Sequence, residues 1–125
     1  MKQASFEVDQ YSGGLLWLAD VYFGGNKTSL QCVFDLGSDR VVALSSNCSS
    51  CKGNTVNSSD TGTLVTTKGE QSIEYGSASI KGYDYNDTLC ATSDEKSCVP
   101  NFTYFSITKQ RGLDPPIEGI VGMSQ

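Results

Sequence analysis

The sequence predicts an all-β fold with little helix, arranged as a sandwich or a closed barrel. Short apolar and β-branched runs recur along the whole chain, and clusters of Gly, Asn, Asp and Ser separate them. The 125 residues fit one domain, and a domain of this length can bury a hydrophobic core. No linker, low-complexity tract or internal repeat interrupts the pattern.

The predicted strands follow one another at short intervals. The first is residues 15–23, an apolar and aromatic run between two Gly-Gly pairs. The later strands are residues 29–36, 41–44, 63–67, 71–75, 78–83, 87–90, 102–108 and 120–123. The runs 71–75 and 78–83 are predicted to pair as a hairpin through Gly76. One helix is expected, over residues 110–113, and Pro115-Pro116 would end it.

Composition excludes several kinds of function. The chain has no histidine, which excludes Ser-His-Asp and Cys-His relays and histidine metal clusters, so acid–base chemistry falls to carboxylates, tyrosines or lysines. Nine basic side chains against fourteen acidic ones give a net charge of −5. Nucleic acid and anionic membranes repel such a surface, so neither is expected as a partner. No run approaches the roughly 20 apolar residues of a membrane span.

The asparagines indicate the secretory pathway. Five of the six open an Asn-x-Ser/Thr triplet, where chance composition gives about one. Glycosylation acceptors on surface turns are therefore predicted at Asn26, Asn47, Asn57, Asn86 and Asn101. The alternative is a Ser/Thr-rich composition combined with the preference of Asn for turns. The first five residues lack the apolar core of a signal peptide, so no signal peptide is expected in this chain.

The five cysteines fit the same oxidising compartment. Cys48 with Cys51 and Cys90 with Cys98 are predicted to form disulfides, since both pairs lie in turn-rich segments. Cys32 is left over within an apolar run and is expected to be a buried free thiol. A redox pair or half of a zinc site remains the alternative for Cys48 and Cys51. A second CxxC-like pair is missing, however, and no metal site is predicted.

One carboxylate is a candidate for chemistry. Asp35 ends an apolar run and precedes Gly37 and Ser38, so it is expected to emerge from the core into a turn. Asp-x-Gly is also an ordinary turn sequence, and the position alone assigns no catalytic role.

Three segments in order resemble the N-terminal lobe of the pepsin-like aspartic peptidases, the family of pepsin and cathepsin D. Residues 33–38 (VFDLGS) are similar to the catalytic Asp-Thr-Gly-Ser. Residues 73–82 (IEYGSASIKG) are similar to the flap hairpin, and residues 118–123 (EGIVGM) to the segment that closes the barrel behind the catalytic loop. Residues 45–51 stand where the family often has a small disulfide loop.

The resemblance implies a fold and a domain organisation. The fold is a pepsin-like acid-protease lobe, a closed β-barrel or sandwich with a flap hairpin. Residues 15–125 would form this lobe, incomplete at its C-terminal end, and residues 1–14 would be an N-terminal extension.

The resemblance also implies roles for the catalytic loop. Asp35 would be one half of a carboxylate dyad that shares a proton and activates a water against a peptide carbonyl. Gly37 would let the chain turn closely beneath Asp35, and Ser38 would hydrogen-bond the carboxylate. Gly122 would let the barrel pack tightly nearby.

A second set of implied roles falls on the flap. Tyr75 would close over the substrate and shield the reacting carbonyl from water. Gly76 and Ser77 would offer backbone and hydroxyl contacts to the peptide. Each of the three has an ordinary structural role as its alternative.

The sequence departs from the family pattern in three places. Leu36 replaces the usual Thr or Ser, and leucine cannot make the hydrogen bond that braces the two catalytic loops. A second catalytic Asp-Thr/Ser-Gly, on a C-terminal lobe, is not expected within the 125 residues, although Asp60-Thr61-Gly62 has that sequence 25 positions after Asp35. Val41-Val42 stand where many members have a Trp.

Three hypotheses of function follow. The first is an aspartic endopeptidase lobe that takes its second Asp from a C-terminal lobe, on a polypeptide substrate and without a cofactor. The second is an inactive pepsin-like module that binds peptide, protein or glycan, since Leu36 weakens the catalytic loop. The third is a homodimer of the retroviral-peptidase type, with a second chain completing the site. The expected location is secreted, lysosomal or vacuolar.

Overall fold

We describe a computed structural model of the chain over residues 6–11, 14–35, 38–65, 69–75 and 78–123. Nine β-strands dominate these residues, and the prediction of an all-β fold is confirmed. The strands are β1 (Phe6–Tyr11), β2 (Gly14–Phe23), β3 (Thr28–Asp35), β4 (Val41–Leu44), β5 (Thr63–Leu64), β6 (Gln71–Tyr75), β7 (Ala78–Cys90), β8 (Cys98–Arg111) and β9 (Gly119–Gly122). Two short helical elements accompany them, α1 (Ser58–Thr61) and a 3-10 turn (Glu95–Ser97).

The strands form one mixed sheet that closes on itself. The hydrogen-bonded order is β1-β2-β3-β9-β4-β8-β7-β5, and β6 pairs with β7. β2 also pairs with β7, where Tyr22 faces Cys90 and Phe23 faces Leu89. This pairing closes a ring through β2, β3, β9, β4, β8 and β7, as expected for a barrel.

The predicted helix over residues 110–113 is wrong. β8 continues through Gln110 and Arg111, which pair with Ile80 and Ser79 of β7. Gly112 then takes a φ of +96°, a conformation that glycine adopts without strain, and the strand ends. Pairing with a long neighbouring strand outweighs the local pattern.

Other elements differ from the sequence prediction in extent. The runs 78–83 and 87–90 belong to the single strand β7. β1 pairs antiparallel with β2, although no strand was predicted within residues 1–14. α1 was also not predicted, and its Ser58 is buried, with its hydroxyl 2.5 Å from Tyr104 Oη and 2.8 Å from Ser106 Oγ.

Strand β4 separates two hydrophobic clusters. All four of its residues are buried, as expected for a continuous apolar run covered on both faces. Val42 and Leu44 pack in one cluster with Phe105 and Ile107. Val41 and Ala43 pack in the other, which contains Phe23, Leu30, Cys32 and Tyr104. The loop before β4 is thus held at its C-terminal end by packing on both sides.

Both predicted disulfides are present, and they fit an oxidising compartment. Cys48–Cys51 closes a short loop after β4, and Cys90–Cys98 joins the ends of β7 and β8. Cys32 is a free and fully buried thiol, as expected. Burial raises the pKa of the Cys32 thiol well above its ordinary value, with smaller contributions from Glu118 and Asp20. Among the described residues no helix is long and apolar enough to cross a membrane.

Candidate active site

Asp35 is the last residue of β3, where the chain leaves the barrel, and it is half-buried. β3 and β4 are consecutive in sequence, yet they do not pair with each other. β9 lies between them, parallel to β3 and antiparallel to β4. The two ends of the loop between Asp35 and β4 therefore lie on opposite sides of an inserted strand.

The end of β9 holds both sides of that loop. The Met123 amide donates to the Asp35 carbonyl at 2.8 Å, and the Gly122 amide donates to the Arg40 carbonyl at 2.8 Å. A Cβ atom at position 122 would lie 2.5 Å from Arg40 N and 2.6 Å from Ser38 O. Only glycine fits this approach, so the role expected for Gly122 is confirmed.

The structure leaves part of the predicted loop chemistry open. Leu36 and Gly37 lie outside the described residues. Ser38 Oγ is buried and has no hydrogen-bond partner in the described part of the chain. The bond from Ser38 to the Asp35 carboxylate, which the resemblance implies, is therefore not formed here. An unsatisfied buried hydroxyl costs about 1–3 kcal/mol, which makes this loop a place where a ligand or a neighbouring segment could add an interaction.

A partly buried ion pair connects the loop after Asp35 to the flap hairpin. Arg40 Nη2 lies 2.6 Å from Asp84 Oδ1 on β7. Gln71 of β6 donates to the other oxygen of Asp84 at 3.3 Å. The Arg40 guanidinium also lies over the Phe105 ring, 5.3 Å from its centre. These contacts fix the end of the loop relative to both arms of the hairpin.

Glu118 ties the segment before β9 to two other parts of the chain. Its carboxylate accepts from the Gln31 amide of β3 and from the Asn54 amide, both at 2.8 Å. Its own amide donates to the Gln31 carbonyl at 2.8 Å, and its carbonyl accepts from Leu44 at 3.1 Å. Glu118 therefore fixes the register of β9 between β3 and β4.

The predicted flap hairpin is formed by β6 and β7. Its register pairs Gln71 with Gly82 and Tyr75 with Ala78. Tyr75 is the last residue of β6, and the predicted contact residues Gly76 and Ser77 lie outside the described residues. The hairpin is thus present, whereas the substrate contacts of its tip remain predictions.

The predicted glycosylation acceptors differ in their surroundings. Asn26, Asn47 and Asn57 lie in turns and loops and are exposed, although the Asn26 amide donates to Asp60 at 2.9 Å. The other two lie within strands, contrary to the expected surface turns. Asn86 is half-buried in β7, and Asn101 is exposed in β8.

Sequence reasoning missed Arg40, Asp84 and Glu118. A signal for Asp84 was available, because buried positions alternate along β7 through Ala78, Ile80 and Asp84. A charged residue at an inward position requires a buried partner. Within the described residues, no group of three or more His, Cys, Asp or Glu could hold a metal ion.

Comparison with known proteins agrees with this geometry. The family model for eukaryotic aspartyl proteases matches residues 16–125, nearly the whole chain. No individual curated protein matches the sequence. The family match covers the loop after Asp35, the flap hairpin and the inserted strand β9. The chain therefore belongs to the eukaryotic aspartyl protease family, with the architecture of its pepsin-like N-terminal lobe.

Proposed function

We propose that the chain is the Asp35-bearing lobe of an aspartic endopeptidase. One observation carries the proposal: β9 lies between β3 and β4 and holds the residues on both sides of the loop that begins at Asp35. This arrangement presents one carboxylate at the edge of a rigid barrel. Catalytic groups on rigid elements keep the geometry that a reaction needs.

Asp35 would act as half of a carboxylate pair. Two carboxylates that share a site cannot easily both be ionised, so one holds a proton while the other accepts one. The ionised carboxylate takes a proton from water as the water adds to the peptide carbonyl, and the protonated one gives its proton to the carbonyl oxygen. When this intermediate collapses the C–N bond breaks, and the carboxylate that took the proton from water passes it to the leaving amine. The mechanism needs no histidine, in agreement with the composition, and we propose it without a cofactor.

The second carboxylate must come from outside the Asp35 loop. Asp39 and Asp114 lie in no Asp-Thr/Ser-Gly sequence. Asp60 does begin one, Asp60-Thr61-Gly62, but it lies exposed on α1, where its carboxylate accepts from the Asn26 amide at 2.9 Å. We infer that a C-terminal lobe supplies it, either in the same polypeptide or in a bound partner. The substrate would be an extended polypeptide held beneath the flap, with Tyr75, Gly76 and Ser77 in contact.

The proposed location is the secretory pathway, as a secreted, lysosomal or vacuolar hydrolase. Two disulfides support it, since they persist in oxidising compartments. Asn26, Asn47 and Asn57 are exposed and are the acceptors best placed for glycosylation. Removal of N-glycans with an endoglycosidase should increase the electrophoretic mobility of protein isolated from its source.

A second candidate is a pepsin-like module that binds peptide without cleaving it. Leu36 favours it, because leucine offers no hydroxyl for the bond that braces the two catalytic loops in the family. The unpartnered Ser38 hydroxyl is a second weakness in the same loop. Loss of cleavage with retention of peptide binding in the wild-type protein would favour this candidate.

The decisive assay is acid proteolysis with a class-specific inhibitor. Protein isolated from its source, with any attached or tightly bound lobe retained, is incubated with a denatured protein substrate from about pH 3 to about pH 7. Cleavage confined to the acid side and abolished by a pepsin-type transition-state inhibitor supports the proposal. Absence of cleavage at every pH contradicts it.

The homodimeric alternative is tested separately. The 125-residue chain alone should be monomeric and inactive if a C-terminal lobe supplies the second Asp. Activity that rises with the square of the concentration of this chain, together with a dimeric mass by analytical ultracentrifugation, would instead assign the site to two copies.

A further inference from the structure

Three cations converge on one face of β7 and β8. Lys81 pairs directly with Lys109, and Arg111 pairs with Ser79 two residues further along. All three cationic side chains are exposed. Together with Ser79 and Gln110 they line a depression of about 300 Å³. We call Lys81, Lys109 and Arg111 the basic patch; it holds three of the nine basic residues of an acidic chain.

The basic patch has no acidic partner in the described part of the chain. The two ion pairs found there involve other residues. Two nearby carboxylates, Glu74 in β6 and Glu70 just before it, bind hydroxyl groups instead. Glu74 accepts from Ser79 Oγ at 2.8 and 3.1 Å, and Glu70 accepts from Thr108 Oγ1 at 3.2 Å. The positive charge of the patch therefore faces solvent.

Folding does not account for this arrangement. Like charges directly opposite each other on a sheet destabilise the strand pair, and Lys81 and Lys109 are such a pair. An anionic ligand would remove the repulsion and gain three attractive interactions. We propose that the basic patch binds an acidic segment of a polypeptide.

The spacing of the cations favours an extended peptide over a single phosphate or sulfate. Lys109 and Arg111 are two residues apart on one strand, hence about 6.8 Å apart, and an extended peptide repeats its side chains on one face at the same interval. Acidic side chains at this interval along a peptide can pair with Lys109 and Arg111 at the same time. Lys81 also lies opposite Ser72 of β6, so the bound segment would contact the flap hairpin.

This proposal goes beyond proteolysis and does not depend on it. The experiment uses the Asp35→Asn protein, in which a bound peptide cannot be consumed by Asp35 chemistry. A fluorescent peptide of alternating Glu and Ser is titrated at about pH 6.5, where Glu is ionised and Lys is protonated. The matched probes are a peptide of alternating Lys and Ser, inorganic sulfate and a sulfated polysaccharide.

We expect saturable binding of the acidic peptide that weakens as salt is added. Lys109→Glu should weaken it about tenfold or more, because one attraction becomes a repulsion. Lys109→Gln should weaken it by a smaller factor and serves as a second variant if the Glu protein folds poorly. Lys52→Glu is the matched control, since Lys52 is exposed and lies outside the patch, and it should bind like the parent.

Three results would overturn the proposal. They are no saturable binding of the acidic peptide, equal binding by the Lys109→Glu and Lys52→Glu proteins, and tight binding of the sulfated polysaccharide without binding of the peptide. The last result would assign the patch to a glycan. None of the three bears on whether Asp35 is catalytic, so the two proposals fail independently.

Discussion

Arg40 and Asp84 form a partly buried ion pair that joins the end of the loop after Asp35 to the second arm of the flap hairpin. Their closest atoms are 2.6 Å apart, and the two residues are separated by 44 positions in sequence. The Asp84 side chain is 9% exposed, whereas that of Arg40 is 37% exposed. Removal of Arg40 therefore leaves a buried charge without its ion-pair partner, whereas removal of Asp84 leaves a charge that water still reaches.

We predict an asymmetric response to substitution of this pair. Arg40→Met leaves the Asp84 carboxylate buried, with Gln71 as its remaining side-chain partner. The substitution should lower the free energy of unfolding by about 2 kcal/mol. This loss is smaller than for a fully buried pair because Arg40 is partly hydrated. Asp84→Asn keeps an oxygen for Arg40 and should cost about 1 kcal/mol. Urea denaturation at neutral pH measures both.

Lys52→Met serves as the control for this comparison, because Lys52 is exposed. It should change stability by less than about 0.5 kcal/mol. Equal losses for Arg40→Met and Asp84→Asn would show that burial of the Asp84 carboxylate does not determine the energetics of the pair.

Glu118 is predicted to be sensitive even to an isosteric change. Its two oxygens accept from two backbone amides, Gln31 and Asn54. Glu118→Gln replaces one acceptor with an NH₂ group that faces a donor, and should cost about 2 kcal/mol in thermal or chemical unfolding. Glu95→Gln is the matched control, since the Glu95 side chain is 80% exposed in its pair with Lys27, and it should be nearly neutral. A neutral Glu118→Gln would contradict the assigned bridging role.

Alanine substitutions at Gly122 and Gly69 distinguish steric crowding from backbone conformation as the reason for a glycine. Gly122→Ala should displace the loop after Asp35, because the new Cβ would meet Arg40 N and Ser38 O. We expect a loss of about 3 kcal/mol in stability and a clear loss of acid proteolysis. Gly69→Ala has open space around its Cβ but a φ of +61°, so it should cost only about 1 kcal/mol and leave the loop unchanged. A Gly122→Ala protein with wild-type stability would refute the close approach.

Tyr104 makes stability fall at alkaline pH. Burial is the main cause that raises the pKa of its phenol to about 12, while the hydrogen bond with Ser58 acts in the opposite direction. In the unfolded chain the Tyr104 phenol ionises near its ordinary pKa of about 10. Between about pH 10 and pH 12 the unfolded chain therefore binds fewer protons than the folded chain. Stability is therefore retained below about pH 10 and lost toward pH 12, at up to about 1.4 kcal/mol per pH unit.

Tyr104→Phe tests that assignment. At about pH 8 the variant should be less stable than wild type by about 1 kcal/mol, because the contact with Ser58 is lost. The difference should shrink and then reverse between about pH 10 and pH 12. Cys32, whose thiol pKa is also raised by burial, titrates in both proteins and cancels in the comparison. A difference that stays constant with pH would contradict the raised pKa of Tyr104.

How well each feature could be predicted depends on how far apart in sequence its contacting residues are. The strand that ends at Asp35, the flap hairpin and the Cys48–Cys51 loop are local, so short patterns sufficed to predict them. Contacts over long separations could not be read from any single segment. The Glu118 contact with Gln31 spans 87 positions and depends on β9 inserting between β3 and β4. The expected helix over residues 110–113 failed for the same reason, since a distant strand supplied its partners.

The central claim is that Asp35 supplies half of a catalytic carboxylate pair. The most direct measurement is the rate of acid proteolysis by the Asp35→Asn protein relative to Asp39→Asn, which removes the same charge from an exposed position four residues away. We predict that Asp35→Asn loses about 10³-fold or more in rate, and that Asp39→Asn stays within about threefold of wild type. Equal rates for the two variants would show that Asp35 is not part of the catalytic pair.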